Sequence, residues 1–316
     1  MSLAMQELAA ARKKHKHFKM KCIVPDDQGI LCGKKPIRSH SIQHNGILSL
    51  LAENGLVYCL GETTKGEEIF EYDLKSVGIT QEASIFKCVC KEHDEILFSD
   101  IEKRAFCMEP KQCFQYALKA LLYSYWSKCN DSGIVNKFGG QIAQQIAEDQ
   151  RAYRDELNSF WEIYHTERYQ DLLCNIITIN RKINSAVSTS FNMCRKLDGS
   201  FFGEENANYP LLHITAFPTK EKSYILISAL KENETYFNTF MQQFTMLSKE
   251  AILKRFNIIF PLLAENIMIS PRVVEKMSLQ EKKQLLTIFR VETMGLYYKT
   301  GININSWANQ VSYNIW

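Results

Sequence analysis

No stretch of this chain is apolar enough to act as a secretory leader or a membrane span. The N-terminus has no apolar core segment, and no window reaches the roughly 18 apolar residues that a membrane-crossing helix needs. The expectation is a cytoplasmic protein with no membrane partner. Signature loops of two large enzyme classes are also missing. Gly139-Gly140 in KFGGQ is not followed by the Lys-Ser/Thr of a phosphate-cradling loop, and no G-x-S-x-G nucleophile elbow occurs. There is no internal repeat and no low-complexity tract, which sets aside solenoids and disordered scaffolds. Nor is there a strong net charge: +3 over 316 residues does not by itself call for a polyanion partner.

What is present is thiol and imidazole. The chain carries ten cysteines and seven histidines. Without a leader, so many thiols point to a reducing compartment, where they serve as buried side chains or metal ligands rather than disulfides. Charge is also unevenly placed. Residues 1–60 hold nine Lys/Arg against four Asp/Glu, and residues 61–110 hold six against twelve. The run RKKHKHFKMK at 12–21 is a basic arm able to neutralise phosphates, or simply a solvated terminus.

Hydrophobic content of 46% with 23% charged residues suits a globular fold with a sizeable core. Residues 1–20 read as a basic lead-in. Over 21–110, short apolar runs such as KCIVP, GLVYCL and EIFEYDL are broken by PDDQG, ENG and GETTKGEE, which suggests strands and loops. GILSLLAENG and HDEILFSDIEKRAF carry helical spacing within that module. Residues 111–185 read as a helical region. Residues 186–316 begin with the β-rich AVSTSFNMCRKL, YPLLHITAFP and KSYILISALK and continue in helices. The fold class is α+β: a small zinc-binding N-terminal module, a central helical region, and C-terminal antiparallel strands with helices.

The chemistry concentrates in KCIVPDDQGILCGKKPIRSHSIQHNG and FKCVCKEHDEILF. Cys22 and Cys32 bracket a loop that can bring two sulfurs to one point, and Cys90-x-x-His93 opens a helix. Together they make a Cys₃His set of the kind zinc prefers. Cys88 is an alternative to Cys90, since strand alternation would put both on one face. His40 has three open roles: general base, metal ligand, or a turn histidine bound to backbone. His213 alternates with Leu212 and Ile214 on a strand and reads as a packing or hydrogen-bonding residue. His165 reads as solvated, Glu204 and Glu205 as loop polar groups, and Tyr116, Tyr123, Tyr125 and Trp126 as core.

The order of a Cys pair, then R-S-H-S-I, then C-x-x-H at a helix start resembles the ββα-metal (HNH) nuclease arrangement fused to a treble-clef-like zinc knuckle. More specifically, SHSIQ…LLAENGLVY followed by ASIFKC-x-C-x-x-HD-x-x-LF resembles a pattern in uncharacterised bacterial proteins. That resemblance implies His40 as general base, Cys22, Cys32, Cys90 and His93 as structural zinc ligands, and a further Mg²⁺ or Mn²⁺ for phosphodiester cleavage. Asp94 is the nearby carboxylate for that ion, and position 39 carries Ser where the nuclease motif often has Asp. Lys34, Lys35 and Arg38 would track the backbone of DNA or RNA. The activity implied is a metal-dependent nuclease, with a role in bacterial defence against phage or plasmids. The alternative is a non-catalytic, zinc-stabilised module that binds nucleic acid or protein, with a protein partner at the C-terminal region.

Overall fold

A computed structural model describes residues 20–63, 71–135, 140–204, 209–293 and 301–316. The basic lead-in at 12–19 and Glu205 lie outside the described residues. The chain is α+β, and its centre is a seven-stranded sheet whose neighbouring strands are all antiparallel.

The N-terminal region forms β1 (Ser39–His40), β2 (Leu56–Thr63), β3 (Glu71–Gly78), β4 (Ile85–Phe86) and α1 (Lys91–Lys103). Two long helices follow, α2 (Pro110–Val135) and α3 (Gly140–Thr166). The remaining strands are β5 (Leu172–Ile179), β6 (Ser185–Asn192), β7 (Leu211–Pro218) and β8 (Ser223–Leu230). Then come α4 (Glu234–Gln242), α5 (Lys249–Leu263), β9 (Ile267–Ile269), α6 (Pro271–Val274), α7 (Leu279–Thr293) and α8 (Ile304–Trp307). The large sheet runs β3-β2-β9-β6-β7-β8-β5, and β1 pairs with β4 as a separate ribbon.

Strand composition explains the middle of the sheet. β7 (LLHITAFP) and β8 (SYILISAL) are buried at every position, as strands covered on both faces must be. Period-two alternation sorts them cleanly. Leu212, Ile214, Ala216, Ile225 and Ile227 join the core made with α4, α5 and α7, whereas Leu211, Phe217, Tyr224 and Leu226 join the core made with α1, α2 and α3. The sheet is therefore the middle of three layers. Hairpin tips sit where turn chemistry puts them: Gly199 takes φ 92° beside Asp198, and Thr219 N–H donates to Lys222 O to close β7 onto β8.

Element boundaries depart from the sequence reading in three places. The helical stretch stops at Thr166, and Leu172–Ile179 is an edge strand, because β-branched Ile176, Ile177, Thr178 and Ile179 fill it. GILSLLAENG forms only short helical turns over His44–Leu48 and Ser49–Leu51. The hairpin β2–β3, inside the N-terminal module, is part of the C-terminal sheet: Tyr58 and Cys59 pair with Ile269 and Met268 of β9.

Asn266, just before β9, joins the β1/β4 ribbon to the sheet. Its Nδ2 donates to Ser41 Oγ at 2.6 Å, Ser84 Oγ at 3.1 Å and the Ser188 carbonyl at 2.9 Å, with no exposed surface. Asn266→Leu strands those acceptors in the core. Each buried polar group left without a partner costs about 1–3 kcal/mol, so the total loss is expected at roughly 2–4 kcal/mol. Urea unfolding followed by circular dichroism measures it.

Candidate metal centre

The first half of the site is a tight knuckle. Cys32 N–H donates to Val24 O, Gly33 N–H to Cys22 O and Cys22 N–H to Lys34 O, so the two cysteine-bearing arms run side by side. The turn between them is built by PDDQG. Asp26 Oδ1 accepts from the Gln28 and Ile30 amides, and Gly29 takes φ 79°, which a side chain would strain. The second half is the start of α1, where Cys90 is the N-cap residue and His93 lies in the first turn. Glu92 and Asp94 complement the positive end of that helix. Ile23 N–H donates to Cys88 O and Ile37 N–H to Val89 O, locking the knuckle against this segment.

These elements bring together Cys22, Cys32, Cys90 and His93, whose ligand atoms all lie within 4.8 Å of one another. Cys22 Sγ is 3.3 Å and Cys90 Sγ 3.5 Å from His93 Nδ1, and Cys32 Sγ is 4.0 Å from Cys90 Sγ. A tetrahedron with metal–sulfur bonds of about 2.3 Å and a metal–nitrogen bond of about 2.0 Å separates its ligand atoms by roughly 3.5–3.8 Å. The donor set and its spacing fit a soft, tetrahedral metal such as zinc. Four protein ligands around one point leave no open coordination position.

Electrostatics follow from placement. Burial pushes the Cys22 thiol well above its ordinary value. Burial also opposes ionisation of Cys90, but the His93 backbone amide and the Cys22 and Cys32 thiols outweigh it and bring Cys90 below its ordinary value. Desolvation lowers His93, which favours the neutral ring that a metal requires.

Cys88 is not in the cluster. β4 ends at Phe86 and the chain bends before α1, so the strand alternation that would align Cys88 with Cys90 does not operate. The Cys88 thiol is fully buried and faces the Leu122 carbonyl of α2 at 3.8 Å. His40 is not a ligand either. Its Nε2 lies 2.9 Å from the Ile79 carbonyl, and its ring sits 5.2 Å from that of His44. Ser39, on the other side of β1, donates from Oγ to Asp94 Oδ1 at 2.6 Å. Lys34 is paired with Glu92, Arg38 reaches the Gln81 carbonyl, and Lys35 is exposed.

One buried cluster had no sequence signal beyond His213 itself. His213 Nδ1 is 2.8 Å from Ser190 Oγ, and its Nε2 is 2.9 Å from Glu156 Oε1. The trio has the connectivity of a nucleophile, base and orienting acid, but His213 is 1% and Ser190 3% exposed. Closed to substrate, it braces α3 against β6 and β7. His165 is not simply solvated: its Nδ1 lies 3.0 Å from Asp27 Oδ1.

No family model, curated protein or solved structure matches this chain. Among the described residues, no helix is long and apolar enough to cross a membrane.

Two outcomes test the site. The chain is expected to bind one tightly held metal, and Cys90→Ser is expected to cut its affinity at least about tenfold, because a thiolate ligand is lost. Cys88→Ala keeps the one-to-one stoichiometry in elemental analysis while lowering the unfolding midpoint. His40 supplies a pH test. Burial holds its pKa below the ordinary 6.5, with the Ile79 hydrogen bond opposing that shift. The unfolded chain therefore binds more protons than the folded one just below that value. Stability present above pH 6.5 falls as the pH drops through it toward the folded-state pKa. His40→Asn is expected to flatten that slope in denaturant titrations from pH 7.5 to pH 5.

Proposed function

We propose that this chain is a non-catalytic binding protein whose Cys₃His centre holds a structural zinc ion and fixes a recognition surface. The observation that carries this reading is how the donors are used. Cys22, Cys32, Cys90 and His93 face one point, whereas the candidate catalytic groups are tied elsewhere, His40 to the Ile79 carbonyl and Asp94 to Ser39. Among the described residues, no second group of three or more such donors converges. A structural zinc site of this kind is closed, while hydrolytic metal sites keep a position for water. None of the ten cysteines is in a disulfide, which supports a reducing setting such as the cytoplasm.

The surface so fixed is apolar at its tip. Ile30 and Leu31 on the knuckle and Ile96 on α1 are 62%, 58% and 55% exposed. That composition favours a protein partner over a nucleic acid, because two of the three proposed phosphate-tracking side chains, Lys34 and Arg38, are already engaged within the chain.

One observation favours a second reading, a metal-dependent nuclease of the HNH kind acting in defence against foreign DNA. β1, β4 and α1 follow one another in the order of a ββα motif, with His40 on the first strand. The two readings separate in a nicking assay on supercoiled plasmid with Mg²⁺ or Mn²⁺. The expected result is no nicking by the zinc-loaded protein, and no change on His40→Ala. Nicking that disappears in His40→Ala, with zinc content and melting temperature preserved, sinks the binding reading.

A further inference from the structure

The large sheet ends in two edge strands, β3 and β5, and their compositions differ. An edge strand offers a row of unpaired backbone groups to any other strand, and charged side chains are a common guard against that. β3 has such a guard in the exposed Asp73 and Lys75. β5, LLCNIITI, has no charged residue, no proline and no glycine. Its register shows which of its backbone groups are spare. Thr219 N–H donates to Lys222 O across the β7–β8 turn, and bonded pairs recur at every second residue of an antiparallel ladder. Tyr224, Leu226 and Ser228 therefore bond to β7, opposite Phe217, Thr215 and His213. Ile225, Ile227 and Ala229 bond to β5 instead, opposite Ile177, Asn175 and Leu173. The backbone groups of Cys174, Ile176 and Thr178 thus point away from the sheet, and among the described residues no hydrogen bond reaches them. Leu172, in the same phase, agrees: its N–H turns back to Tyr169 O.

We propose that two copies of this chain pair antiparallel along β5, joining their sheets into one across a two-fold axis at Asn175. The free backbone groups select an extended strand as the occupant, and the side chains select this strand. Pairing about Asn175 sets Cys174 opposite Ile176 of the second copy and Leu173 opposite Ile177, so apolar side chains meet and no like charges face each other. These four are half-buried, Leu173 and Ile177 against one core and Cys174 and Ile176 against the other, so each core continues across the axis. Asn175 is the exposed polar residue of the strand, and its side chain makes no hydrogen bond among the described residues. Its own backbone groups face β8, so on the axis it forms a non-hydrogen-bonded pair, the kind in which side chains come closest. A carboxamide both donates and accepts, which makes it complementary to its own copy. This contact lies outside the metal cluster and does not depend on what the knuckle recognises.

Sedimentation velocity with the full-length chain, over about a hundredfold range of concentration, tests the assignment. A monomer that converts to a dimer as concentration rises is expected. Asn175→Lys sets two ammonium groups against each other on the axis at an exposed position, and is expected to weaken the dimer at least about tenfold with the melting temperature preserved. Ile176→Pro removes an outward N–H that the β8 ladder does not use, and is expected to give a monomer that still unfolds cooperatively. Hydrogen exchange supplies a readout that a merely structural role does not move: the Cys174, Ile176 and Thr178 amides are expected to slow as concentration rises. A monomer at every concentration overturns the proposal. Protection of those amides in such a monomer assigns the edge to another segment of the same chain. A dimer indifferent to Asn175→Lys overturns the proposal too, and its loss in Ile30→Ser with Leu31→Ser would place the contact at the knuckle tip.

Discussion

Four ligand atoms drawn to one point from two places far apart in the chain set the geometry of the whole N-terminal half. Cys22 and His93 are 71 residues apart, yet sulfur and nitrogen meet at 3.3 Å. Between those residues, the β2–β3 hairpin pairs over eight residues, but the β1/β4 ribbon beside the cluster is short. β1 and β4 are two residues each, and an isolated two-stranded ribbon is marginal in water even when longer. Closing a long loop costs chain entropy that grows only slowly with length, so one strong cross-link is an economical way to hold it. With the clamp in place, the start of α1 and the strand bearing His40 have fixed positions. The β2–β3 hairpin is then released from a fixed base toward the sheet.

That hairpin makes the Cys/His module part of the body rather than an appendage. β2 is hydrogen-bonded on one side to β3 and on the other to β9, which itself pairs with β6. Asn266 adds a second join a few residues away, with its amide shared between serines of the ribbon and the backbone of β6. Lys182 Nζ donating to the Leu50 carbonyl, and Arg272 paired with Glu53, add two more between the same halves. These contacts tie the N-terminal region to the interior strands β9 and β6, and the buried ones among them have few alternative partners.

The sequence was most readable where one short-range rule decides the outcome. Knuckle, helix start and ligand types were legible because Asp26, Gly29 and the Cys90-x-x-His93 spacing are local signals. β7 and β8 were legible because both faces of each are buried and the residues say so. Three things depended on long-range packing instead. Cys88 and Cys90 look equivalent in sequence, and only the bend after Phe86 separates a member of the Cys/His cluster from a thiol buried elsewhere. Leu172–Ile179 follows two helices, and its β-branched run is placed as a strand by pairing along β8, a partner more than forty residues further on. Asn266 looks like any polar residue at a helix end, and nothing nearby marks its partners 182 and 225 residues away.

Ser39 and Asp94 connect the candidate site to the reading of function. Their side-chain oxygens are 2.6 Å apart, a short hydrogen bond in which the hydroxyl donates to the carboxylate. An aspartate at position 39 would bring a second carboxylate to the same contact, and two carboxylates so close cannot both stay ionised unless a proton or a cation lies between them. That pair is the natural seed of a divalent metal site, and serine removes it. Ser39 turns Asp94 into the acceptor of a neutral donor, with no cation required for balance. His40, one residue on, is left with a backbone carbonyl and a neighbouring histidine but no carboxylate in hydrogen-bond contact to raise its basicity. The same two-residue strand that would carry the catalytic machinery of a nuclease has both side chains engaged within the chain here, Ser39 with Asp94 and His40 with the Ile79 carbonyl, while the apolar knuckle tip is left exposed. This contrast is why recognition, rather than hydrolysis, is the reading that these residues favour.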